Sequence, residues 1–317
     1  MIRKIIYLII VMCLLACQQS PENLVTSLEK DSSIKKLAKG QVPVDFVISE
    51  SGYTAEVIAA NLTAPEGTAM HGNGVLFVLQ STKANILKIT PSGNATEIAQ
   101  IPFEEPPAPA LIDLLIDPPR GMFVTLLRHG KIFNISFSGT VNEFASNLSY
   151  PLFMAIDHEK NIYVSELYGY SITRFDHPGN STNIVELDSD TRPRGIEFDE
   201  QERLFVLSRN GEIRRFDINS APSFPMPLSS GILIAAITTA DQVQDMTFGF
   251  DGDLFVVGIN DVYRVKLNGE FTTFATGLQG PYNVINTNIK GDLLVSDYAQ
   301  NEEGAGRVIK INRGKKK

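Results

Sequence analysis

The 317-residue sequence predicts an all-β fold, a six-bladed β-propeller whose ring is closed by an N-terminal strand completing the last blade. The first observation is a repeat: a turn, an apolar stretch, an acidic or glycine turn, then a three-residue apolar group. It appears as Pro65-Glu66-Gly67 leading to Leu76-Phe77-Val78 and as Asp113 leading to Met122-Phe123-Val124. It returns as Pro151 leading to Ile162-Tyr163-Val164 and Pro193-Arg194-Gly195 leading to Leu204-Phe205-Val206. The last two copies are Asp245 leading to Leu254-Phe255-Val256 and Pro281 leading to Leu293-Leu294-Val295. The second observation is a following strand with one rhythm, from Ile86-Leu87-Lys88-Ile89 through Ile213-Arg214-Arg215-Phe216 to Val308-Ile309-Lys310-Ile311. The period of about 39 to 50 residues suits one four-stranded blade per repeat. The third observation is that Tyr53 to Leu62 reads like an outer strand yet precedes the first inner one, while the last unit ends near Asn312 one strand short.

Each segment can be justified in order. Arg3 and Lys4 precede an uncharged apolar run, Ile5 to Leu15, which is too short to span a bilayer and fits a signal peptide. The run ends Leu14-Leu15-Ala16-Cys17, which resembles a bacterial lipobox. That resemblance implies removal of residues 1–16 and lipidation at Cys17. Gln18 at the next position implies sorting to the outer membrane, facing the periplasm. Cys13 would leave with the leader, so the mature chain would hold no disulfide and would depend on its core. Residues 17–42 are polar and read as a flexible tether. The propeller is expected over residues 43–312, with a solvated basic tail at 313–317. A blade cannot cover both its faces alone, so six must stack in a ring to bury them.

Net charge is −8, which argues against nucleic acid as a partner, because that binding rests on lysine and arginine at phosphates. The expected partners are the membrane, through the lipid anchor, and a small polar ligand or an envelope protein, with the chain itself a monomer. His71, His129, His158 and His177 fall in turns at unrelated blade positions, and neither an H-E-x-x-H pair nor a G-x-S-x-G elbow occurs. Five N-x-S/T triplets, from Asn61 to Asn180, read as turn chemistry in a bacterial chain. Pro102 to Pro109 (PFEEPPAP) reads as a stiff connector into the second blade.

The Pro-x-Gly turns and Leu-Phe-Val strands resemble the six-bladed superfamily that includes NHL-repeat proteins and the SMP-30/gluconolactonase group. The resemblance covers roughly residues 53 to 312 and identifies architecture rather than activity. It implies a ligand site where the turns entering the inner strands ring the central channel. Repeat position places Glu66, Ile112, Leu152, Arg194, Gln244 and Asn283 there, followed by Gly67, Asp113, Phe153, Gly195, Asp245 and Val284. The ends of the next strands add Gln80, Arg128, Glu166, Arg209, Asn260 and Asp297.

Two functions from different classes are expected at this mouth. One is a non-enzymatic module that binds a polar ligand, or an anion through arginine forks. The other is a metal-dependent hydrolase of the lactonase type. The resemblance implies a divalent cation for it (calcium, magnesium or manganese), with Glu66 and Asp245 as tentative ligands and Asp113 or Asn283 assisting. Arg194 stands where such lactonases carry an asparagine ligand, and a guanidinium cannot ligate a cation. A third reading has Arg194 simply pairing with Glu66 and stopping the channel.

Overall fold

The computed structural model describes residues 45–176, 180–238, 242–287, 291–299 and 304–314. The leader, Cys17 and the tether to residue 42 lie outside the described residues, as do His177 and residues 315–317 of the tail. The described chain forms six antiparallel sheets around an axis. Blade 1 runs from inner to outer edge as Pro65–Met70, Leu76–Gln80, Asn85–Ile89 and Ala95–Gln100. Blades 2 to 5 repeat the order, with inner strands Leu111–Asp117, Pro151–Ile156, Pro193–Phe198 and Met246–Phe248. Blade 6 supplies Pro281–Asn286, Leu293–Asp297 and Gly306–Arg313, and its outer strand is the N-terminal Tyr53–Leu62.

The closing strand pairs antiparallel with the last one, from Tyr53 opposite Arg313 to Leu62 opposite Gly306. Arg313 therefore belongs to a strand rather than to the tail. Two short additions were not foreseen. Val47–Ile48 joins the outer edge of blade 5, and Met226–Pro227 lies parallel to the outer strand of blade 3. Both cover edges that would otherwise present unpaired backbone groups.

Burial explains why the repeat is so regular. The second strand of each blade, such as Leu76–Gln80 or Leu204–Ser208, is buried along its whole length because neighbours cover both faces. Outer strands such as Phe271–Thr276 keep exposed residues among the buried ones. Six apolar clusters occupy the six interfaces between blades. Phe77, Leu79, Leu126 and Phe133 fill the one between blades 1 and 2. Leu62, Val78, Leu294 and Val308 fill the one between blades 6 and 1. The core is thus a ring of interfaces, each made by two consecutive repeats.

The seam between the N-terminal segment and blade 6 also carries a buried ion pair. Arg307 Nη2 lies 2.8 Å from the wholly buried Asp297 and 2.7 Å from Asp45. Removing the guanidinium would leave Asp297 without its counter-charge. Arg307→Met is expected to lower unfolding free energy by about 3 kcal/mol. Urea titration would check this, and adding Asp297→Asn should recover part of the loss.

Candidate functional site

Strand pairing sets the register of the mouth. Thr68, Leu114, Met154, Ile196, Met246 and Val284 each face a valine of the next strand, so they are equivalent. One residue earlier lie Gly67, Asp113, Phe153, Gly195, Asp245 and Asn283. Two earlier lie Glu66, Ile112, Leu152, Arg194, Gln244 and Tyr282. The expected alignment of blade 6 was therefore off by one residue. Asn283 belongs with Asp113 and Asp245, and Tyr282 takes the mouth position beside Glu66 and Arg194. In five blades, all but the fifth, an irregularity at the start of the inner strand turns these residues toward the axis.

The layer of Asp113, Asp245 and Asn283 holds the blades together. Asp113 Oδ2 accepts the Met154 N–H of blade 3 at 2.8 Å, and Asp245 Oδ2 accepts the Val284 N–H of blade 6 at 3.2 Å. Asn283 Nδ2 donates to Asp245 at 2.8 Å, while its Oδ1 accepts from Thr68 Oγ1 of blade 1 at 2.9 Å. On the other side of each aspartate stands a glycine. A Cβ on Gly67 would sit 2.6 Å from Leu114 N, and one on Gly195 would sit 2.7 Å from Asp245 Oδ1. The same glycine–aspartate–amide arrangement thus occurs twice around the ring. Burial pushes the Asp113 carboxyl up to about 6, and it raises Asp245 well above the usual range, with Asp113 adding to the rise.

An apolar plug joins the mouth ring to this layer. Ile112, Leu152 and Phe153 are buried together, and Tyr282 reaches across from blade 6 to set its ring 6.0 Å from that of Phe153. On the far side of this level is a cavity of about 260 Å³, bordered by Thr68, Glu197, Met246, Thr247, Asn283 and Asn286 among others. None of the six mouth residues borders it. Burial pushes Glu197 up to about 7, and Thr247 Oγ1 donates to it at 3.3 Å.

At the mouth itself the charges are not arranged as expected. Arg194 forms no ion pair with Glu66; its electrostatic neighbours are Tyr282, Arg209, Tyr168 and Arg192. Burial lowers its pKa, the two arginines lower it further, and its buried Nε has no hydrogen-bond partner. Arg192 Nε donates to the Ser189 carbonyl at 3.1 Å, and its guanidinium lies 5.3 Å from the Tyr168 ring centre and 5.8 Å from that of Tyr170. Arg209 is exposed, and its N–H donates to the Arg192 carbonyl at 2.8 Å. Among the described residues, Arg128, Arg192, Arg194 and Arg209 take part in no ion pair, whereas Arg203, Arg214, Arg264, Arg307 and Arg313 each have a carboxylate partner. Gln244 has a buried, unpartnered Oε1.

Glu66 is buried, accepts from Ser81 and leaves Oε2 unpartnered. Burial pushes its carboxyl up to about 8, with Ser81 and Arg128 pulling the other way. Two other candidates are engaged in structure. Glu166 Oε2 accepts the Ser149 N–H at 2.6 Å and its Oε1 the Thr173 hydroxyl at 2.5 Å. Asp297 Oδ1 accepts the Gln279 N–H at 2.9 Å besides pairing with Arg307. Gln80 accepts the Thr63 N–H at the same place in blade 1. This strand-end position is a turn brace, and its counterparts in blades 2 and 4 are Leu126 and Ser208. Arg128 and Arg209 lie beyond it, in the turns.

The donor set for a cation does not fit. Glu66 has Ser81 and Arg128 as neighbours, whereas Asp245 Oδ2 is committed to Asn283 Nδ2 and the Val284 N–H, and the Met246 N–H also bonds the carboxyl. Among the described residues no three His, Cys, Asp or Glu side chains are grouped so as to hold a metal ion. Sequence reasoning also missed Tyr150, Tyr168, Tyr170, Tyr282 and Arg192. The signal for Tyr282 was Pro281, which aligns with Pro65, Pro151 and Pro193.

The fold resembles several solved propellers. A gluconolactonase from Xanthomonas campestris matches with a TM-score of 0.68 at 12% identity, covering 87% of this chain and 96% of the other. A PQQ-bound aldose sugar dehydrogenase from Streptomyces coelicolor matches with a TM-score of 0.64 at 15% identity, covering 83% and 99%. A virginiamycin B lyase from Staphylococcus aureus matches with a TM-score of 0.60 at 18% identity, covering 82% and 99%. No protein-family model and no curated protein sequence matches the chain. At these identities the likeness establishes the six-bladed fold alone.

The buried carboxyls give a pH dependence of stability. Their folded pKa values lie above the ordinary carboxylate range, so the folded chain holds protons that the unfolded chain releases. That stability is complete below about pH 4, declines as pH rises from there, and is fully lost once the folded values of about 6 to 8 are passed. The melting temperature is expected to fall between pH 5 and 8.5. Calorimetry on Glu66→Gln should show a flatter profile between about pH 5 and 8, with a gain on the order of 4 kcal/mol at the alkaline end.

Proposed function

We propose that this chain is a lipid-anchored binding protein of the bacterial envelope whose propeller mouth takes an anionic ligand. The observation that carries the reading is the group of Arg192, Arg194 and Arg209. Arg192 and Arg209 both lie within electrostatic reach of Arg194, and none of the three takes part in an ion pair among the described residues. Like charges held together, one of them half-buried, raise the energy of the free protein, and an anion binding between them would relieve this. Arginine forks suit carboxylate, phosphate or sulfate. Glu66 supports the reading from the other side. With its carboxyl pushed up to about 8 it is mostly protonated at neutral pH, adds little repulsion and can donate a hydrogen bond.

A second reading, hydrolysis of a lactone or related ester, is favoured by the same Glu66. Its buried carboxyl at the mouth is tuned toward neutral pH, as an acid–base group would be. The shape likeness to gluconolactonases agrees with it. It ranks second because among the described residues no three His, Cys, Asp or Glu side chains are grouped so as to hold a metal ion.

Titration of the purified full-length chain at low salt separates the two readings. Inorganic phosphate or sulfate is expected to raise the melting temperature with concentration, as native-state binding must. The rise should vanish in Arg194→Gln/Arg209→Gln and shrink at high sodium chloride. A rise with calcium or manganese instead, lost in Glu66→Gln, would favour the hydrolase. The anchor is tested separately: expression in a bacterial host should give a membrane-bound chain whose N-terminal peptide carries diacylglycerol on Cys17. Cys17→Ser should release it to the soluble fraction.

A further inference from the structure

The tyrosines beside the arginines occupy backbone positions that other blades give mostly to small residues. Just before the inner strand, one carbonyl accepts the N–H of the turn after the second strand. Ala64, Ala110, Tyr150, Arg192 and Gly280 hold this position in five blades. Ala64, Tyr150 and Gly280 have φ of 47°, 61° and 106° there. In the turn after the second strand another carbonyl repeats its role. Ala84, Gly130, Tyr170 and Gly211 accept from Ile101, Leu148, Leu187 and Ile237 in blades 1 to 4. Their φ values are 52°, 60°, 52° and 87°.

Left-handed backbone disfavours a bulky side chain, and where one persists the surroundings or the function must hold it. Alanine or glycine serves in the other blades with positive φ, whereas blade 3 puts tyrosine at both positions. Burial does not account for Tyr150, which is 39% exposed and whose neighbour Tyr168 is 46% exposed. The two rings meet edge to face with centres 4.6 Å apart, and Arg192 ties Tyr168 to the mouth by lying over it. The exposed Tyr168 ring thus lies against the Arg192 guanidinium, and the exposed Tyr150 ring extends that surface by meeting Tyr168.

We propose that the ligand of this mouth is a ring-bearing acid, its anionic group held by Arg192, Arg194 and Arg209 and its ring packed on Tyr150 and Tyr168. The inference rests on the anion-binding reading above and adds the second half of the ligand. An aryl ring and a pyranose share the needed chemistry. Each offers a flat face or edge of C–H bonds, slightly positive, to the negative face of a tyrosine ring. Phenolic hydroxyls add hydrogen bonding at little entropic cost.

Four phosphates with the same head separate the possibilities: inorganic phosphate, glycerol phosphate, phenyl phosphate and glucose 6-phosphate. Calorimetric titration of the full-length chain is expected to show at least one ring ester binding roughly three- to tenfold more tightly than glycerol phosphate. Which ester gains identifies the source of the ring. The advantage should disappear in Tyr168→Ala and Tyr150→Gly and survive in Tyr168→Phe. Tyr150→Gly should melt no lower than the parent, since glycine accepts φ of 61°, so lost preference would not reflect unfolding. Equal binding of all organic phosphates, or an advantage that persists in both tyrosine variants, overturns the ring proposal and leaves the anion site standing. Binding of none of the four overturns both.

Discussion

Six sheets can surround an axis only if the first and last are joined, and here that joint is Tyr53–Leu62 against Gly306–Arg313. Closure covers the faces that the first and last blades would otherwise expose, and it crowds six inner strands around one line. The crowding appears where a Cβ on Gly67 or Gly195 would strike the neighbouring blade. It appears again where Asp113 and Asp245 reach across to the amides of blades 3 and 6. Carboxyls held in so confined a place lose their water, which is why burial heads the causes of their raised pKa values. The chemistry at the axis follows from the geometry that closes the ring.

The pattern of charge around the ring is uneven in a way that closure does not require. Arg264 binds Glu50, Asp251 and Asp253, Arg203 binds Asp199, and Arg307 binds Asp45 and Asp297. In an acidic chain with 36 Asp and Glu against 28 Lys and Arg, carboxylates are in ample supply. Among the described residues Arg192, Arg194 and Arg209 nevertheless stand together without one. Their neighbours are tyrosines, which lend a π face or a hydroxyl but no full charge. Arginines without an ion-pair partner in an acid-rich protein support the proposed anion reading more than the same group would in a basic one.

Much of the fold was legible because both faces of every blade are covered. Whole-strand burial forces apolar runs such as Leu204-Phe205-Val206 to recur, and an outer-type strand ahead of the first inner one has only the last blade to join. The site was less legible. Acidic and amide residues at strand ends look alike whether they brace a turn, as Glu166 and Asp297 do, or face a ligand, and sequence does not record which amide they accept. The blade 6 register was lost because Asn283 looked like a mouth residue, although Pro281 marked the true alignment. Tyr150 and Tyr170 escaped notice for a different reason. Tyrosine is ordinary in strands, and only the backbone angle reveals that these two sit where alanine or glycine would be easier.

Arg194 decides between the two ways of using this mouth. A metal site would need Glu66 ionised and a neutral oxygen where Arg194 stands. Burial instead favours the protonated form of Glu66, and Arg194 brings a positive charge with Arg192 and Arg209 as electrostatic neighbours. Each change alone would weaken a cation site. The same two changes favour an anion, since a neutral carboxyl removes repulsion while the guanidiniums supply attraction. A divalent cation and an anion held by Arg194 would compete for one electrostatic environment, which is why the proposed reading takes the anion.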